Sequence, residues 1–381
     1  MDFAFDETQL AIKETIIDFA RNELNGDVAS NDHEGKFSWE SWKKCAEINI
    51  QGLPIPEEYG GAGSDIMTTI LAMEGLGYGC EDNGLIFALN SHMWSCEIPI
   101  LEFGTDAQKQ KYLPKLCKGE LIGGHAMTEA DSGSDAFSLK ATAVRRDDTY
   151  VLNGNKMFIT NAPIADVLIV FALTGEHAGF GGISAFLVEK GTPGLFISED
   201  FDKMGLRTVP VGYLILEDCV VPAENLLGRE GAGAAIFNSE MEWERSCLFA
   251  CHVGAMQRIL EKCIDYAKQR RQFGQPIGKF QGVSHKIADM KVRIELAKLM
   301  LYKIGWLKMR GARGNLEATI AKVFVSDAFV KTCMDAIQIH GGNGYMKEYP
   351  FERYLRDSIA STIYSGTNEI QKNIIANWLG L

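Results

Sequence analysis

Apolar positions change their period twice along the chain. From residue 1 to about 119 they recur at helical spacing. Leu10, Ile16, Ile17, Phe19 and Ala20 form one stripe, and Trp39, Trp42, Cys45 and Ile48 recur every three residues in SWESWKKCAEI. QGLPIPEEYGGAGSD (51–65) is dense in breakers and reads as a loop. MTTILAMEGLGYG and NGLIFALNSHMWSCEIPILEF are apolar nearly all round and predict buried helices. From about 120 to 228 the period drops to two. ATAVRRDDTYVLNGNKMFIT alternates apolar and polar residues, with turns predicted at Asp147–Asp148 and Asn153–Gly154. VLIVFAL, ISAFLVEK, LFISED and YLILEDCVV are further short β-rich runs. From about 229 the helical period returns in three long segments and a shorter terminal one. The expected fold class is α+β: an N-terminal helical domain (1–119), a central, mostly antiparallel β domain (120–228) and a C-terminal four-helix bundle (229–381).

Composition narrows the function. The 381 residues are 46% hydrophobic and 23% charged, ordinary globular usage, with a formal net charge of −12. An acidic chain without a long basic block is a poor partner for nucleic acid or an anionic membrane. No apolar run is long enough to span a bilayer. The amphipathic, acidic start MDFAFDETQLAIKETI reads as a first helix rather than a targeting peptide, so a cytoplasmic location is expected. Nine scattered cysteines without a CxxC fit a reducing compartment. Cys247, Cys251 and His252 lie close in sequence, but among apolar neighbours they read as core packing, and no metal is expected.

No P-loop, HExxH, GxSxG or dinucleotide GxGxxG after a strand is present. HGGNGY (340–345) follows a helix and taken alone is a helix cap and turn. AMTEADSGSD (126–135) concentrates hydroxyls and glycine amides, which suit close approach to a phosphate or heterocycle. These two segments occur in order with NGNKMFITNA, KQRRQFGQPIGKFQ and IYSGTNEIQ across most of the chain. Together they resemble the acyl-CoA dehydrogenase family of flavoproteins.

The resemblance implies FAD as cofactor. Met127, Thr128, Gly133 and Ser134 match the loop that meets the flavin and its pyrophosphate. Thr160 matches a residue near flavin N5, and Phe158 stands where many members carry a shielding Trp. Arg270 matches an arginine that reaches the pyrophosphate of a neighbouring subunit. Phe273 and Gln281 match adenosine-side contacts. Gln338, Gly341 and Gly342 match a turn contributed across the dimer, and Thr367 and Glu369 a further cofactor loop. A homotetramer, as a dimer of dimers, is implied.

The implied reaction is α,β-dehydrogenation of an acyl thioester, which needs one carboxylate as base. Many members place it directly after the Tyr of IYxGT; here that position is Ser365. A minority carry it on an upstream helix before an Arg, where this chain has Trp243-Glu244-Arg245, and Glu244 is the candidate. Glu244 shares helical register with Cys247, Leu248 and Cys251. Glu240, one turn earlier, is not excluded by periodicity, and Glu242 reads as a surface residue. Arg245, Ser365 and Gly366 are expected on the substrate side. Overall likeness points to enzymes that oxidise prolyl groups on an acyl or peptidyl carrier protein to a pyrroline. A short or branched-chain acyl-CoA dehydrogenase acting on a CoA thioester is the alternative. The vacancy at position 365 also fits a non-catalytic scaffold. Molecular oxygen and an electron-transfer flavoprotein both stay open as electron acceptor.

Overall fold

A computed structural model describes residues 4–175 and 181–381. The N-terminal region is helical: α1 (Glu7–Glu23), α2 (Val28–Glu34), α3 (Trp39–Glu47), α4 (Ile66–Gly79), α5 (Asn83–His92), α6 (Ile98–Phe103) and α7 (Asp106–Cys117). Side-chain caps start several of them. Asp6 and Gln9 form a capping box on α1, as do Thr105 and Gln108 on α7. Asp82 accepts from the Gly84 and Leu85 amides at the start of α5. The long apolar run read as one helix is α5, a π-helical turn (Met93–Glu97) and α6 in succession. Of the predicted stripes, Trp42 and Cys45 are buried, whereas Leu10, Trp39 and Ile48 are exposed.

The β domain comprises β1 (Gly123–Ala126), β2 (Thr142–Arg146), β3 (Thr149–Thr160), β4 (Val167–Leu173), β5 (Ile183–Glu189), β6 (Leu195–Ile197), β7 (Val211–Pro222) and β8 (Leu226–Leu227). They form one sheet of order β6-β7-β3-β2-β4-β5-β8, with β1 beside β4. All pairings are antiparallel except β1–β4 and β2–β4. The unbroken apolar run of β4 follows from burial on both faces. Val167, Ile169 and Phe171 join the core shared with the helices, while Leu168, Val170 and Ala172 face a second core formed within the β domain. The predicted Asp147–Asp148 turn joins β2 to β3, with Asp147 at φ 51°. The predicted Asn153–Gly154 turn is absent: both residues lie inside β3, at a register shift against β7. Gly154 has φ 146°, and a Cβ there would sit 2.6 Å from the Ala141 Cβ, so the glycine serves a bulge rather than a turn.

The C-terminal bundle is α8 (Gly233–Gln269), α9 (Gln281–Met309), α10 (Asn315–His340), and, after the short α11 (Gly342–Tyr345) and α12 (Phe351–Ala360), α13 (Asn368–Trp378). α8 touches all three regions. Its backbone meets α4 directly, because a Cβ on Gly254 would lie 2.0 Å from the Glu74 carbonyl and one on Gly77 2.0 Å from that of Cys251. This contact fixes the height of α8 against the N-terminal helices. Among the described residues, no helix is long and apolar enough to cross a membrane.

Candidate active site

Glu244 lies on α8 and is 9% exposed. Two hydroxyls from distant parts of the chain converge on its carboxylate. Ser95 Oγ, in the π-helical turn, donates to Oε2 at 3.0 Å. Ser365 Oγ donates to Oε1. Packing explains why Ser95 points there. Trp94 and Trp243 stack 5.8 Å apart, which clamps the π turn onto α8, and the Trp94 indole N–H donates to Asn90. π-helical turns of this kind re-aim side chains within otherwise regular helices.

The Ser365 end is held as firmly. Ser365 and Gly366 both take left-handed backbone conformations, φ 55° and 84°. The Ser365 carbonyl accepts from Arg245 Nε at 3.1 Å and from Gln371 Nε2 at 3.0 Å. Positive φ at a serine costs on the order of 1 kcal/mol, and these bonds hold it in place. Thr367 then caps α13, with Glu369 exposed in its first turn. Arg245 is next to Glu244 but turned to the 365 loop, and burial lowers its guanidinium to about 10 against the pull of Glu244.

The neighbouring acids differ from Glu244. Glu242 is no free surface residue: it accepts from the Gly314 amide at 3.0 Å and pairs with Lys308 at 3.3 Å, tying α8 to the α9–α10 loop. Glu240 is fully buried, and its two oxygens lie 3.0 and 3.2 Å from His125 Nδ1 on β1. Burial, with the nearby Glu244 charge, pushes the Glu240 carboxyl far above the ordinary carboxylate range. Cys247 and Cys251 are buried in the core, and His252 pairs with the Tyr364 hydroxyl at 2.6 Å.

Two residues beyond His125 begins the loop 127–135. One buried ion pair organises it. Lys156 Nζ, on β3, contacts Glu129 Oε1 at 2.9 Å and the Met127 carbonyl at 3.2 Å. Glu129 also accepts from the Lys140 and Ala141 amides. Burial pushes the Lys156 ammonium down to about 8 even with its carboxylate partner. The Met157 amide donates to the Thr128 carbonyl, which lays the loop against β3 three residues before Thr160. Phe158 sits at a second β3 bulge with φ 59° and is 66% exposed, an unusual place for an aromatic ring. Met127 is buried; Gly133 and Ser134 are exposed at the loop tip.

The remaining predicted residues are not brought to this place. Arg270 follows Glu244 by 26 positions along α8, roughly 40 Å at ~1.5 Å per residue. Past it, Arg271–Pro276 forms a hairpin whose tip residues Phe273 and Gly274 have φ 49° and 79°, with Phe273 93% exposed. Gln281 is exposed at the start of α9. Gln338, Gly341 and Gly342 belong to the same distal end, where the His340 ring lies 4.2 Å from that of Tyr266. The predicted site residues thus fall into two separate groups, one of them past the C-terminal end of α8, and each group is a candidate half-site.

Family models agree with this architecture over nearly the whole chain. Those for the acyl-CoA dehydrogenase N-terminal, middle and C-terminal domains match residues 6–120, 124–219 and 231–380. The chain belongs to the acyl-CoA dehydrogenase family. Within that family it is 43% identical over 382 residues, covering all of both chains, to an L-prolyl-[peptidyl-carrier protein] dehydrogenase of Pseudomonas fluorescens. The crystal structure of the prolyl acyl carrier protein oxidase AnaB matches with TM-score 0.98 and 50% identity, over 99% of this chain and 100% of that one. The structure of PigA with FAD and proline matches with TM-score 0.98 and 43% identity over all of both chains.

The residues present fit an FAD. The hydroxyls of Thr128, Ser134 and Thr160 have no hydrogen-bond partner among the described residues. A Cβ at Gly133, Gly341 or Gly342 would meet nothing within 4 Å, so those backbones are open to a ligand. Neutral donors and an aromatic face at one half-site, and an exposed arginine at the other, match an uncharged ring system and a pyrophosphate respectively. Ser95, Glu129 and Lys156 were not singled out by sequence reasoning. Glu129 and Lys156 stand in two of the quoted motifs, but a lysine in an alternating strand reads as solvated.

Proposed function

We propose that this chain is an FAD-dependent oxidoreductase that dehydrogenates a prolyl group carried as a thioester on an acyl or peptidyl carrier protein, giving a pyrroline-carboxyl thioester, with Glu244 as the base. Full-length likeness to enzymes that act on prolyl carrier proteins supports the substrate. The single structural observation that carries the mechanism is a buried carboxylate on α8 held by two hydroxyls from distant parts of the chain.

Ser95 and Ser365 each hold one oxygen of the Glu244 carboxylate and so fix its orientation. Glu244 takes the α-proton; the C–H electron pair moves toward the thioester carbonyl as the β-hydrogen departs with its electrons. Bound FAD supplies the acceptor for that hydride. Thr128, Ser134 and Thr160 would hold it on the β-domain side, with Phe158 covering the ring. The burial of Glu244 limits the water that could compete for the α-proton. A panel of prolyl-carrier protein and acyl-CoA thioesters tests the substrate. The prolyl thioester is expected to lose at least two hydrogens by intact mass. Turnover of CoA thioesters alone would replace this reading with an acyl-CoA dehydrogenase.

The two half-sites imply an oligomer, and a homotetramer is the proposed state. Arg270, Phe273 and the Gly341–Gly342 turn of one subunit would complete the FAD site of another, which accounts for an exposed phenylalanine at a strained hairpin tip. Arg270→Ala and Glu244→Gln chains are each expected to be impaired alone, and their co-assembled mixture to regain activity. No recovery on mixing would place both half-sites on separate ligands.

A further inference from the structure

The prolyl ring nitrogen is bonded to the very carbon whose proton Glu244 is proposed to take. Any side chain that recognises this nitrogen must therefore lie beside the Glu244 carboxylate. Most polar groups there are already committed. Ser95 and Ser365 donate to Glu244 itself. The Tyr364 hydroxyl is paired with His252 Nε2 at 2.6 Å, and Arg245 Nε is bound to the Ser365 carbonyl. His125 is different. Its Nδ1 faces Glu240, one turn from Glu244 on the same side of α8, while its Nε2 has no partner among the described residues. The ring packs against Phe171 and Phe237 at centroid distances of 5.1 and 5.9 Å, yet the side chain keeps 15% exposure. Glu240 lies behind it, fully buried, with Oε1 making no hydrogen bond.

We propose that His125, positioned by Glu240, binds the ring nitrogen of a cyclic amino-acyl thioester and so selects it over a carbocycle of the same shape; this rests on the prolyl reading above. The chemistry follows from burial. A neutral Glu240 carboxyl donates its O–H to Nδ1, which leaves the proton of the neutral imidazole on Nε2. Burial favours that form on both sides, raising Glu240 and lowering His125 to about 4 against the pull of Glu244. The Nε2–H then meets the lone pair of the uncharged secondary amine. A cyclopentane ring offers no acceptor, so it leaves this buried donor unpaired. His125 is the contacting residue and Glu240 a positioning residue.

The test compares prolyl- and cyclopentanecarbonyl-carrier protein thioesters as substrates of the flavin-loaded enzyme, read as the ratio of their kcat/KM values. His125→Phe and Glu240→Leu are expected to lower the ratio roughly 10- to 100-fold, by slowing the prolyl substrate and, in His125→Phe, by relieving the unpaired-donor cost that the carbocycle otherwise bears. Glu240→Gln keeps an N–H donor to Nδ1 and is expected to retain the ratio. A merely structural role would slow both substrates equally, and that result overturns the assignment while leaving the prolyl reading intact. A wild-type enzyme inert toward prolyl thioesters but active on carbocyclic or CoA thioesters would instead overturn the prolyl reading, and the assignment with it. Should Glu240→Leu lose its flavin, His125→Phe decides.

Discussion

Glu244→Gln is expected to lower kcat by roughly 10²- to 10⁴-fold while the protein stays yellow. The amide has nearly the shape of the carboxyl, so Ser95 and Ser365 keep a hydrogen-bonding partner on α8. What disappears is an oxygen basic enough to accept the α-proton. Flavin content and steady-state turnover, measured on the same preparation, separate loss of chemistry from loss of cofactor. Glu242→Gln supplies the control: it disturbs a tie to Gly314 and Lys308 away from the carboxylate and should leave turnover nearly intact. Turnover retained in Glu244→Gln would remove Glu244 from the role.

Lys156→Met is expected to cost the flavin rather than the chemistry. The Lys156–Glu129 pair is buried on both sides, at 0% and 8% side-chain exposure. Breaking such a pair leaves a carboxylate without its counter-charge, at ~3–5 kcal/mol. Burial would raise the Glu129 carboxyl, but the Lys156 charge and the two backbone amides hold it below its ordinary range, so removing Lys156 takes away the largest compensating influence. The loop carrying Thr128, Gly133 and Ser134 would loosen from β3. Flavin dissociation during gel filtration and a lower unfolding midpoint are the expected readouts. The double variant Lys156→Met/Glu129→Gln should recover part of the stability, because no bare charge stays behind. A Lys156→Met protein as stable and as yellow as the wild type would show that the loop is held by its backbone bonds alone.

The order of helices, sheet and helices was legible because each element buries a face, and burial imposes a period on the sequence. The details that escaped depend on partners far along the chain. Asn153–Gly154 has the composition of a hairpin turn, yet Ala141 packs where a glycine Cβ would be, and the strand runs through as a bulge. Periodicity set Glu240 and Glu244 on the same side of a helix and could go no further. Their difference comes from residues 115 and 149 positions away, His125 and Ser95. Ser95 itself is aimed by a π-helical turn, which leaves no periodic signature over five residues. Lys156 sits in an alternating run where lysine is ordinarily solvated, and only the loop folded over it makes it a buried counter-ion. The separation of Arg270 from Glu244 follows from the length of α8, a single helix of 37 residues that carries the two apart.

The central claim is that a carboxylate on α8 removes the α-proton of a thioester as the flavin is reduced. Rapid anaerobic mixing of the enzyme with prolyl-carrier protein thioester, protiated or deuterated at the α-carbon, tests it most directly. The account predicts that the flavin colour bleaches in a single turnover and that α-deuteration slows the bleaching. A flavin that stays oxidised, or one that bleaches at the same rate with both isotopes and unchanged in Glu244→Gln, would contradict it.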